Sequence, residues 1–220
     1  YGGLLGGALF AFVLLPFLGL TYTPVLIGSL NLLVASLVLW HCSNHLVRPR
    51  ILNIQFVVLL IISVLAFSVA KPIVLYGEQH KYKDKIIYQE QTRYQKIVIT
   101  QWKDNFWLFI NGSTQFSTYD EERYHEPLVH PVMSLLKEHK DILLLGAGDG
   151  LAAREILKYS DVESLTLVDL DPAMTRLARQ HKMFLTINQE SLNDPRVQVL
   201  NKDAYQFMKE SPDLYDAIII

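Results

Sequence analysis

Apolar residues run almost unbroken through the first seventy positions and then give way to short clusters separated by turn residues. Three stretches, Gly3 to Leu20, Pro24 to Trp40 and Ile51 to Ala70, each approach the roughly 20 residues that cross a bilayer core. None shows the polar face that a surface helix turns to water. A secretory signal is one short span, so three predict a membrane region with three transmembrane helices over residues 1–70. Gly2, Gly3, Gly6 and Gly7 set small residues four apart, a spacing that permits close helix packing in lipid and equally suits loose terminal sequence.

Between Ile86 and Thr118 the pattern changes to strand periodicity: IIYQE, YQKIVIT, FWLFI and QFST. Lys103 to Asn105 and the Asn111-Gly112 pair are turn signals, the second favouring a tight hairpin, so residues 71–119 are expected to hold a small antiparallel domain. Thr118 and Glu121 fit a capping box for a helix reaching about His139. From Asp141 the order is strand, helix, strand, helix, strand, helix, strand, ending in YDAIII. Such alternation predicts a parallel sheet with helical crossovers, whose ligands lie beyond the carboxyl ends of the strands. The fold class is thus α/β: a Rossmann-like, methyltransferase-type parallel sheet over residues 120–220, preceded by the antiparallel domain and the transmembrane helices. The chain starts without Met and stops inside a strand-like run, which predicts a fragment truncated at its C-terminus.

Charge sharpens this division. Up to Ala70 the only formal charges are Arg48 and Arg50, whereas all 22 Asp and Glu and the other 18 Lys and Arg follow. The resulting balance of −4 in the polar part, 18 basic against 22 acidic residues, argues against nucleic acid as a partner. Lys71, Lys81, Lys83 and Lys85 after the third span outnumber Arg48 and Arg50 before it, which leans toward a multi-pass protein of the cell membrane with its polar part in the cytoplasm. Cys42 is the single cysteine, so the chain has no internal disulfide and no cysteine-based metal site. No spaced set of His and carboxylates predicts a metal, and no Ser, His and Asp arrangement stands out.

The candidate chemistry lies in DILLLGAGDG, Asp141 to Gly150, and in LTLVDLDP. A buried strand that stops at closely spaced glycines and opens a helix is a nucleoside-binding corner. Gly146, Gly148 and Gly150 let the backbone approach a ligand, and Asp169 at the end of the next strand can accept from both ribose hydroxyls. A methyltransferase with such a corner must hold the carboxylate of S-adenosylmethionine, yet Asp149 puts a negative charge in the glycine turn where that amino-acid tail would lie. The Asp149 carboxylate disfavours a carboxylated tail and suits one that carries only an ammonium. Capping of the helix after Gly150 is an alternative role for Asp149, as capping is for Asp171 before Pro172 and for Asp203.

The string NGSTQFSTYDEERYHEPLVHP, followed by LLLGAGDG, VDLDP and NKDAYQFM, resembles the polyamine aminopropyltransferases, the spermidine and spermine synthases, in their membrane-anchored bacterial form. The resemblance covers roughly Tyr88 to Ile220. It implies transfer of an aminopropyl group from decarboxylated S-adenosylmethionine, a co-substrate and not a cofactor, to putrescine or a related amine, leaving methylthioadenosine. By the same resemblance Gln95, Asp169, Asp203 and Ala204 hold the methylthioadenosine part, and Tyr124, His125 and Asp149 face the amine and aminopropyl groups. The family often has Glu at the position of Asp169. His130 reads as structural, while Gln115 suits either the pocket or the hairpin end. The family's general base is an Asp expected just beyond Ile220, which predicts that this chain alone is not competent. The implied partners are the sulfonium nucleoside, the amine, the lipid bilayer and a further copy of the chain, since the family often assembles as dimers or larger. A methyltransferase sharing the nucleoside corner and a non-catalytic membrane protein retaining the fold are the competing classes.

Overall fold

The computed structural model describes residues 1–42 and 49–220 and divides into two compact units, Tyr1–Lys83 and Asp84–Ile220. Arg48, counted above for topology, lies outside the described residues.

The first unit is helical. A helix α1 (Gly2–Leu9) passes through a wider π-helical turn, Phe10–Leu14, into α2 (Leu15–Cys42), and α3 (Pro49–Gln79) follows. The helix is broken at Gly19, inside the end of the first apolar stretch, where a φ of +64° and ψ of −176° interrupt α2. Glycine takes this left-handed φ without the Cβ penalty, and the Thr23 hydroxyl donates to the Gly19 carbonyl at 2.6 Å, giving the interrupted ladder a substitute partner. Three segments, Gly2–Gly19, Thr21–His41 and Arg50–Gln79, are long and apolar enough to cross a membrane, with mean hydropathies of 2.0, 1.8 and 2.5. The third runs past Ala70, through Lys71 and Pro72. Helices α2 and α3 meet through a Ser29–Ser63 hydroxyl pair at 2.9 Å and a Tyr22–Phe67 ring contact.

The second unit has two sheets around one core. The antiparallel sheet runs β1 (Lys85–Gln91), β2 (Lys96–Trp102), β3 (Asn105–Ile110) and β4 (Ser113–Ser117) in that order. Lys103 and the Asn111-Gly112 pair take positive φ, as two-residue hairpin turns require. After α4 (Glu122–Leu135) the chain builds β5 (Asp141–Leu145), α5 (Leu151–Ile156), β6 (Ser164–Asp169), α6 (Pro172–Gln180), α7 (Lys182–Ile187), β7 (Val197–Asn201), α8 (Ala204–Glu210) and β8 (Ala217–Ile219). The parallel sheet has the order β7-β6-β5-β8, so strands are added on one side of β5 and then on the other, and the turn after β5 lies at that switch point. Ile97, Ile99 and Leu108 of one sheet and Ile142, Leu144, Leu165 and Leu167 of the other share one buried cluster. A single core therefore carries both sheets.

Two local expectations fail for identifiable reasons. No side chain caps α4: the Thr118 hydroxyl accepts from the Phe106 amide at 3.0 Å and so pins β3, while Glu121 is engaged elsewhere. The helix also stops at Leu135, short of His139, whose ring meets the Met133 carbonyl at 2.6 Å and Asp161 at 2.5 Å. The short α7 and the 3-10 turn Ser191–Asn193 had no signal in the sequence pattern.

Candidate functional site

Strand β5 ends in Gly146, whose φ is +81°, and Ala147 follows at +58°, a left-handed pair that turns the chain sharply toward α5. An alanine in that conformation stores strain of order 1 kcal/mol, a cost found at functional turns. Gly148 sits under the end of β6. A Cβ there would lie 2.6 Å from Asp169 Oδ2, so only glycine lets its amide donate to that oxygen at 3.0 Å. The other oxygen of Asp169 accepts from the Asp171 amide at 2.9 Å. Each oxygen keeps a free lone pair, and the carboxylate is aimed by two backbone donors. Burial pushes the Asp169 carboxyl above the ordinary range, against the pull of those two amides.

Asp149 combines both roles considered for it. Its Oδ1 accepts from the Leu151 amide at 2.9 Å, at the start of α5, and the residue also lines a cavity. Burial pushes its pKa up, opposed by the nearby His125 and the Leu151 amide. Two side chains lock the turn from behind: Asn188 donates to the Asp149 carbonyl at 3.0 Å and Ser191 to the Gly150 carbonyl at 2.6 Å.

The cavity measures about 460 Å³. Gln95, Gly146, Gly148, Asp149, Asp169, Asp203 and Ala204 all line it, joined by Gln115. Asp203 caps α8 through the Gln206 amide at 2.9 Å while standing at the rim, and Asp171 caps α6 through Ala173. Asp171 also accepts from the Thr92 hydroxyl at 2.8 Å, which holds the hairpin carrying Gln95 against the parallel sheet. Gly150 packs behind the cavity against Ser191 and Asn188. Tyr124 and His125 stand on α4 outside the lining set, Tyr124 exposed and His125 buried. His130 joins a polar cluster with Tyr159 and Glu155, each at 3.0 Å. Its ligand atoms, with those of Glu126 and Glu155, lie within 4.8 Å of one another, but Lys158 already supplies a cation to Glu155 at 2.5 Å.

Other residues escaped the sequence reading. Leu108, Ile110 and Met174 form an apolar wall, and the first two share one face of β3 by strand alternation, a signal that was available. Arg154, Glu155 and Glu121 are buried and paired. The only signal for Arg154 and Glu155 is their place as a charged pair inside the otherwise apolar helix after the glycine corner, and Glu121 reads from sequence as a cap.

Residues 121–220 match the Spermine/spermidine synthase domain. Along its whole length the chain is 42% identical to a polyamine aminopropyltransferase of Oceanobacillus iheyensis and 44% identical to one of Leptospira interrogans, covering 43% and 44% of those proteins. It thus spans less than half the length of the curated relatives it matches. Among solved structures, spermidine synthase from Thermotoga maritima superposes with a TM-score of 0.58 at 30% identity, over 61% of this chain and 47% of that one. A spermidine synthase in complex with the transition-state analogue AdoDATO gives 0.58 at 29% identity, over 61% and 46%.

Proposed function

We propose, from the premise that this chain is a relative of the polyamine aminopropyltransferases, that the protein transfers an aminopropyl group from decarboxylated S-adenosylmethionine to putrescine or a related amine. The products are spermidine, when putrescine accepts, and methylthioadenosine. The observation that carries this reading is that Asp149 lines the same cavity as Asp169 and Asp203. Asp169 is suited to the ribose hydroxyls, Asp203 with Ala204 to the adenine amine, and Gln95 to the methylthioadenosine part. Asp149 matches the ammonium of the propylamine tail, and Tyr124 and His125 the incoming amine.

The reaction is a direct displacement. The amine lone pair attacks the carbon next to the sulfonium, the carbon–sulfur electrons return to sulfur, and a neutral thioether leaves. The new ammonium then gives up a proton to a carboxylate base. The leaving group is already activated, so the protein's work is alignment and proton removal.

Titration with the two sulfonium nucleosides tests the reading. The decarboxylated form should bind more tightly. Asp149→Asn, which retains an acceptor for Leu151, should weaken it by about 10- to 150-fold, the loss of one charge-assisted bond of about 1.5–3 kcal/mol. Tighter binding of the carboxylated form overturns the proposal. The same variant has a signature in stability. Burial raises the folded pKa of Asp149, so the folded state holds this proton more tightly than the unfolded chain, and stability is lost as pH rises from 3.8 through the raised value. At neutral pH Asp149→Asn should therefore melt above wild type while binding the decarboxylated form more weakly.

The apolar helices are proposed as an anchor in the cell membrane, with the second unit on the cytoplasmic side. Their support is the scarcity of buried residues in the three segments, 0%, 6% and 0% of each window.

A further inference from the structure

Behind the cavity lies a set of buried charges that the reaction above does not use. Arg154, on α5, donates from Nη1 and Nη2 to the two oxygens of Glu121 at 2.7 and 3.1 Å, and from Nε to Glu155 at 2.9 Å. Nη1 also reaches the Ile187 carbonyl at 2.6 Å. The side chains of Arg154, Glu121 and Glu155 are 9%, 7% and 0% exposed. Lys158 meets the second oxygen of Glu155, so two carboxylates face two cations.

His125 is attached to this set by one ring nitrogen. Its Nδ1 lies 2.9 Å from Glu121 Oε2 and 2.9 Å from the Glu121 carbonyl. Both neighbours are acceptors, and the carboxylate is gripped by both terminal nitrogens of the guanidinium. Two acceptors can share only an N–H, so Nδ1 carries the proton. In a neutral imidazole the lone pair then sits on Nε2. Ring edges of Phe116 and Tyr124, with centroids 6.2 and 5.1 Å away, hold the plane of the imidazole. Burial pushes the Asp149 carboxyl up, and the nearby charges of His125 and Arg154 oppose that while Glu121 adds to it.

We propose that Glu121, clamped by Arg154, fixes His125 as the Nδ1-protonated tautomer and so presents Nε2 as a hydrogen-bond acceptor to an N–H of the acceptor amine. Glu121 and Arg154 are then positioning residues for the amine and not for the nucleoside. This rests on the aminopropyl-transfer reading for the identity of the amine. The tautomer itself does not.

The test uses the full-length protein with 15N-labelled histidine, the His125 signals being assigned by their loss in His125→Gln. Long-range 1H–15N correlations of the wild-type ring should show the Nδ1–H form. Glu121→Gln, isosteric and uncharged, offers an amide donor to Nδ1 and should shift the ring toward Nε2–H. It should raise the KM for the amine about tenfold or more and that for decarboxylated S-adenosylmethionine less than about twofold. Arg154→Lys, which keeps the charge and loses the fork, should move both readouts in the same direction by less. An Nε2–H or doubly protonated wild-type ring overturns the proposal, whether or not either variant folds. So does a variant in which both KM values rise together. A wild type without aminopropyl transfer strikes down the reaction proposed above, and the ring spectrum still decides the tautomer.

Discussion

Leu59, in the middle of α3, and Leu144, in the middle of β5, are the same side chain in two surroundings: the first is 50% exposed and the second 0%. The contrast holds across the two units. Along α3, Ile54, Ile61 and Leu65 turn outward, whereas Ile97, Val98 and Ile99 on β2 are wholly hidden. Polar groups divide the same way. In the first unit Ser29, Ser36 and Ser68 donate to carbonyls three or four residues back on their own helices. In the second unit the decisive polar contacts join distant positions, Arg154 to Glu121 and Thr92 to Asp171. A helix that satisfies its own backbone and shows apolar side chains suits a lipid solvent. A cavity lined by aimed carboxylates needs a core to hold it.

This contrast predicts its largest effect at the paired leucines. Leu144→Ala should cost about 2–5 kcal/mol through lost burial and a cavity, while Leu59→Ala should stay within about 0.5 kcal/mol. Chemical denaturation of the full protein in detergent compares them, and equal costs would erase the distinction. Leu59→Arg asks what the exposed face meets. A charge at the centre of a spanning helix carries a penalty of about 2.5–3.5 kcal/mol, so membrane-inserted protein should fall sharply, and undiminished insertion would remove the bilayer from the account.

Glycines sharpen the comparison on a smaller scale. At Gly150, φ is +84° and a Cβ would meet Ser191 Oγ at 2.9 Å and both Asn188 Nδ2 and Leu192 Cγ at 3.0 Å. Gly150→Ala should destabilise by about 1–3 kcal/mol and loosen the turn that carries Asp149. Gly28 in α2 has nothing within 4 Å, and Gly28→Ala should be neutral or stabilising by up to about 1 kcal/mol. Thermal melts of the two variants in opposite order would contradict the packing described.

The smallest effect concerns His139. A hydrogen bond donated to the Asp161 carboxylate, then one to the Met133 carbonyl, raises its pKa above the ordinary 6.5. The folded state binds this proton more tightly, so the contribution is full below 6.5 and fades as pH rises through the raised value. His139→Gln should lower the melting temperature slightly in mildly acidic solution and leave it unchanged at alkaline pH. A deficit that grows with pH would show that the sign is wrong.

Much of the second unit was legible beforehand because its signals are local. The Asn111-Gly112 turn, the caps at Asp171 and Asp203 and the alternation of strands and helices each depend on a few neighbouring residues. The capping box at Thr118 and Glu121 failed for the opposite reason. Both side chains had better partners elsewhere, the Phe106 amide and the Arg154 guanidinium.

The sequence by itself determined the apolar spans, the glycine corner at Gly146 to Gly150 and the acidic residue at the end of the next strand, since hydropathy, backbone freedom and strand period are written in adjacent positions. Only the tertiary structure decided that Arg154 faces Glu121 across 33 residues, that Thr92 ties to Asp171 across 79, and that Leu108 and Ile110 wall the cavity. A charge on a helix reads as solvated until its neighbours are known, and those neighbours are chosen by how two sheets close on one core.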